Sequence, residues 1–126
     1  METLEQYAEV FNVGMALNSV GGDQEFLSEV VGLMQAAWPT LLTDLRNGIT
    51  KGDIRAVGTT ARLAKAAARN VSAKRAYDSA LELETMAGKG DLAAAGEAAS
   101  SLEHEVEILQ FFLANLADEN VLCAAA

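Results

Sequence analysis

Four bases recur along one short stretch of the chain. They are Arg55, Arg62, Lys65 and Arg69, within and just upstream of VGTTARLAKAAARNVSA, residues 57–73. At about 100° per residue they fall, together with Lys51, within an arc of roughly 80° on one side of a helix. Guanidinium and ammonium groups are donors only and stay charged at neutral pH. Such a face can hold carboxylates or phosphates but supplies neither a nucleophile nor a base. Gly58 lies inside the arc, and Thr59 and Ala66 flank it. Small residues among the charges would let a partner come close to the helix. Val57, Ala61, Leu63, Ala64, Ala67, Ala68 and Val71 occupy the other side, the expected core face.

The charge is segregated along the sequence. Residues 46–75 contain eight bases and one acid, whereas the rest of the 126 residues contains one base, Lys89, and seventeen acids. A charged helix face is ordinarily a solvated one. Here the sign is uniform, where mixed signs would serve solubility better. Lys74 and Arg75 also begin the next predicted helix, where the macrodipole disfavours cations by roughly a few tenths of a kcal/mol each. Both features suggest a surface for an acidic partner. Nucleic acid fits poorly, because the strongly negative remainder repels it and no aromatic residues interleave the bases.

Other residue types offer little chemistry. The only histidine, His104, lies between Glu103 and Glu105, with Glu107 close by, and reads as an ordinary helix residue. The only cysteine, Cys123, stands in the tail NVLCAAA and reads as a free thiol of no special role. One histidine and one distant cysteine make no zinc site, so neither metal nor cofactor is expected.

The elements that would position the basic face are helical throughout. No stretch shows strand alternation between turn signals. SVGGD at 19–23 ends a short N-terminal segment, and Asp23 is placed to cap a long helix that contains the only proline, Pro39. Proline there should kink or split the helix. KGDI at 51–54 and KGDL at 89–92 repeat one turn chemistry, a glycine to end a helix and an aspartate to start the next. RNVSA supplies a third break, with Ser72 as a possible cap. The predicted helices span about 24–50, 53–70, 73–87 and 91–117. Short connections make successive helices antiparallel, so the expected fold is an all-α, up-down-up-down four-helix bundle with a short extra N-terminal helix. The expected organisation is a single domain over 1–126, with a helical segment at 1–20, a bundle at about 23–118 and a flexible tail at 119–126. The N-terminus lacks the pattern of a secretory signal, and no apolar run reaches the length of a membrane span. A cytoplasmic protein without a membrane partner is expected.

With these features in order, the chain resembles the histidine-containing phosphotransfer (HPt) domain of two-component phosphorelays. That family is a four-helix bundle with a signature of roughly alanine, histidine, any residue, leucine, lysine, glycine and serine, then a small turn. ARLAKAAARNVSA at 61–73 lies along it, with Ala61, Lys65, the small pair Ala66 and Ala67, and the NVSA turn in place. Ala64 stands where leucine is usual. Gly21–Gly22–Asp23, Pro39 and Gly52–Asp53 match further family habits, and the likeness runs over roughly residues 10–116.

The departure is at Arg62, which holds the position of the phospho-accepting histidine. Imidazole has a lone pair that can attack phosphorus, and a guanidinium does not. The resemblance therefore implies a non-catalytic module that keeps the docking helix without the phosphoryl chemistry. Its implied partner is the receiver domain of a response regulator or of a hybrid histidine kinase. The residues implied to touch it are Arg55, Gly58, Thr59, Arg62, Lys65, Ala66 and Arg69. Lys65 matches the family lysine thought to steady the phosphoryl group. Two other readings remain open: a phosphocarrier that uses another site such as His104, and a structural or oligomerising bundle with no relay role.

Overall fold

The computed structural model describes residues 9–70 and 72–119, with side chains as far as Ala114. Among the described residues all regular structure is helical. Five helices lie wholly within the described residues: α1 (Val13–Ser19), α2 (Gln24–Lys51), α3 (Ile54–Asn70), α4 (Lys74–Gly88) and α5 (Leu92–Glu119). The last four pack in a ring, α2 on α3, α3 on α4, α4 on α5 and α5 back on α2. This is the expected four-helix bundle with a short helix before it.

One turn geometry joins the helices. Gly52 and Gly90 adopt left-handed backbone, at φ 68° and 73°. After α2, the Gly52 and Asp53 amides donate back to the carbonyls of Ile49 and Gly48. After α4, the Gly90 and Asp91 amides donate to those of Ala87 and Met86. These paired bonds satisfy carbonyls that a helix end otherwise orphans. The aspartate that follows each glycine then caps the next helix: Asp53 Oδ1 accepts from the Ala56 amide at 3.1 Å, and Asp91 Oδ1 from that of Ala94 at 3.0 Å. Gly21 and Asp23 do the same between α1 and α2.

The turn between α3 and α4 has the same bonds without the ideal residues. Ser72 takes the left-handed position at φ 54°, and its amide donates to Arg69 while that of Ala73 donates to Ala68. Ser72 is therefore not the cap that its hydroxyl suggested. Ala73 holds the cap position and has no side-chain acceptor to offer.

Pro39 neither splits nor ends α2, which runs unbroken from Gln24 to Lys51. A proline has no N–H for the carbonyl four residues back, here that of Gln35. The Gln110 side chain of α5 takes that place, with Nε2 donating to Gln35 O at 3.0 Å. The helix tolerates the proline because its neighbour satisfies the freed carbonyl.

The core mixes a few large side chains with many small ones. Trp38, Leu45, Leu83, Leu102, Leu109 and Leu113 are fully buried. On α3 the buried residues are Val57, Thr60, Ala61, Ala64, Ala67 and Ala68. Such small residues let helices approach closely. A Cβ added at the buried Gly48 would lie 3.0 Å from Val57 Cγ2, so α2 and α3 nearly touch there. At one end of the bundle Phe11 is buried and meets Phe112 edge-on at 6.4 Å, and the Asn12 amide donates to Ser72 O at 3.1 Å.

One core expectation fails. Leu63 is 56% exposed, on the shoulder of α3, and Thr60 takes the core position instead. The apolar arc assumed from the sequence was drawn too wide, for a stripe through Val57, Ala61, Ala64 and Ala68 already fills the core side. Val71, the tail beyond Glu119 and Cys123 lie outside the described residues.

Candidate interaction face on α3

Arg55, Arg62 and Arg69 stand one heptad apart and form one line along α3, all exposed. Lys65 lies beside the line, with 23% of its side chain exposed. Lys51 is not part of this helix, because it is the last residue of α2. Thr59 and Ala66 are exposed at the far edge of the line, and the Thr59 hydroxyl donates to the Arg55 carbonyl at 3.1 Å. Gly58 is half-buried instead of open. A Cβ built on it would meet Ala87 Cβ of α4 at 3.6 Å, so the close approach offered there is already taken by a neighbouring helix.

The basic face is also partly neutralised from within. Glu84 of α4 receives two cations: Lys65 Nζ at 2.8 Å on Oε1 and Arg62 Nε at 3.2 Å on Oε2. The hydrogen bond from Lys65, and after it that from Arg62, holds the Glu84 carboxyl below the usual glutamate range. Arg62 remains the more open of the two, with 73% of its side chain exposed. Arg69 turns to α4 as well, its guanidinium carbon 5.7 Å from the centre of the Tyr77 ring.

Three further bases of the positive segment have acidic partners, two of them across the bundle. Arg46 meets Glu103 at 2.8 Å. Arg75 engages both oxygens of Glu105, Nε 2.8 Å from Oε2 and Nη2 2.9 Å from Oε1. Lys74 bonds Asp78 one turn along its own helix at 2.9 Å. The two cations at the start of α4 thus have intramolecular acceptors, which removes them as evidence of a partner. Much of the segregation along the sequence is complementarity between helices in the fold.

Glu84 is the site residue that the sequence reading missed. The signal was present in the hairpin. Residues equidistant from Ala73 face each other across α3 and α4: Arg69 and Tyr77 are four positions to either side of it, Arg62 and Glu84 eleven. Counting outward from the turn would have put a carboxylate opposite Arg62.

His104 is exposed on α5 between two glutamates that are themselves engaged by arginines. No group of three or more metal-ligating side chains occurs among the described residues. No helix among them is long and apolar enough to cross a membrane. Comparison with protein-family models, curated proteins and solved structures found no match.

Proposed function

We propose that the chain is an HPt-like signalling module of the cytoplasm that binds a receiver domain through α3 and carries no phosphoryl group. The observation that carries this reading is the environment of Arg62. Its side chain is exposed at the middle of the basic line, one turn from Lys65, at the position that the family resemblance gives to the reactive histidine. The burial pattern around it supports the same register. Ala61 and Ala64, the signature's small and apolar positions, are buried, and Leu63, its variable position, is exposed.

Chemistry follows from the residue type. Arg62 presents a permanent cation with fixed donors, suited to the acidic cluster that receivers carry around their phosphorylated aspartate. It has no lone pair to take phosphorus. Arg62 already pairs with Glu84, so docking on a receiver carboxylate would replace or share an existing ion pair. Arg55 and Arg69 flank the centre and act on the rate of encounter.

A second reading, a structural bundle without a relay partner, is favoured by the number of α3 and α4 bases that are paired internally. One experiment separates phosphate chemistry from docking. The chain is incubated with a radiolabelled, phosphorylated receiver, and both label transfer and complex formation are followed. The proposal expects a complex and no label on the chain. Label on the chain would establish a phosphocarrier, with His104 the first residue to substitute. Neither label nor complex would leave the structural bundle.

A further inference from the structure

Beside the α3–α4 turn lies a cleft of about 350 Å³, within the range of small-molecule pockets. It is separate from the Arg62 centre and sits where the N-terminal segment crosses the end of the bundle. Met15, Ala68, Ala73 and Tyr77 give it apolar walls. Polar groups also reach the lining. The Ser72 hydroxyl has no hydrogen-bond partner among the described residues, Asn12 Oδ1 accepts from the Met15 amide, and Arg69, Lys74 and Glu9 stand on the same lining.

The charges on this lining are not equivalent. Lys74 is held by Asp78 at 2.9 Å, and Glu9 adds to the negative field around it. Arg69 has no carboxylate partner among the described residues. Its guanidinium lies over the Tyr77 ring, with Nη2 3.5 Å from the phenolic oxygen, and it makes no other hydrogen bond among the described residues. A cleft with apolar walls and a guanidinium that makes no ion pair among the described residues suits an apolar body that ends in an anionic, planar acceptor seated on Arg69, although Glu9 on the same lining disfavours an anion placed near it.

We infer that the cleft between α1 and the α3–α4 turn binds a small amphipathic carboxylate, its apolar body against Met15 and Tyr77 and its carboxylate on Arg69. The Ser72 hydroxyl is a further donor on the same lining. A neutral molecule with the same body gains the apolar contacts and leaves Arg69 without its acceptor. A free inorganic anion gains Arg69 and leaves the walls unfilled.

The test uses the full chain and decanoate as probe, below its micelle concentration, with decanol and acetate as controls. Binding is followed by backbone amide NMR shifts. Decanoate should shift Met15, Ser72 and Tyr77 saturably and bind at least about tenfold more tightly than decanol or acetate. Arg69→Gln should reduce decanoate binding to the level of decanol. Met15→Glu, which sets a carboxylate in the apolar wall of the cleft, should weaken decanoate more than decanol. Shifts that are absent, that do not saturate, or that spread over the bundle without centring on these residues would overturn the inference. So would equal affinities for decanoate and decanol, or an Arg69→Gln chain that keeps the preference.

Discussion

At the scale of single residues, two side chains on or beside α3 separate exposure from burial. Leu63 is exposed, and Leu83 on α4 is fully buried. Leu83→Ala should cost about 2–5 kcal/mol, since it removes buried carbons and leaves a cavity. Leu63→Ala should change stability by no more than about 0.5 kcal/mol. Urea titration of the two variants checks the assignment. A large loss at Leu63 would turn α3 about its axis and take Arg62 off the surface line. Glu84 gives a pH test. Its carboxyl is held below the ordinary value, so its ion pairs contribute stability above the unfolded glutamate pKa near 4.3. That contribution is lost as the pH falls through the lower, folded value. Glu84→Gln should therefore be less stable than the parent chain at pH 7, and the gap should close towards pH 3. A gap unchanged by acid would mean that the carboxylate charge is not what Lys65 and Arg62 recognise.

At the scale of elements, the helix hairpins were readable because their ends are punctuated by residue chemistry. KGDI and KGDL carry a left-handed glycine and a capping aspartate, and the helix bounds fell within a residue or two of those expected from the sequence. The α3–α4 turn was harder to read, because Ser72 sits where glycine would be easy and a capping role suits its side chain. Backbone hydrogen bonds to Ala68 and Arg69 decided otherwise. This turn is the element with most room for improvement. Ser72→Gly relieves a left-handed non-glycine residue and should stabilise the chain by about 1 kcal/mol. Ala73 is buried, so a carboxylate cannot simply be added at the cap position. Thermal unfolding of the Ser72→Gly variant measures the gain, and a loss would show that the serine side chain contributes more than its backbone conformation costs. Pro39 shows another limit of reading one element alone. Its helix continues because of Gln110, seventy-one positions later, and no pattern within α2 announces that bond.

At the scale of the whole molecule, the sequence showed a positive middle and a negative remainder, and the fold brings the two together. Arg46, Arg62, Lys65 and Arg75 all pair with carboxylates on α4 or α5. Linear segregation of charge was legible, but its cause was not, because it depends on which helix lies beside which. What remains for a partner is a narrower feature, the Arg55–Arg62–Arg69 line with Arg62 at its centre. The proposed function requires that this line bind a receiver domain as a graded surface. The measurement is a titration of a receiver from a two-component system native to the cell with the parent chain, Arg62→Ala, Arg55→Ala and Arg69→Ala, at low and at physiological salt. Arg62→Ala should lose about 2 kcal/mol or more, mainly through faster dissociation, while the flanking variants lose about 1 kcal/mol and associate more slowly. Affinity of the parent should fall as salt rises, since exposed charges are screened within about 8–10 Å. Binding that is indifferent to all three substitutions would contradict the account and return the basic line to a solvated helix face.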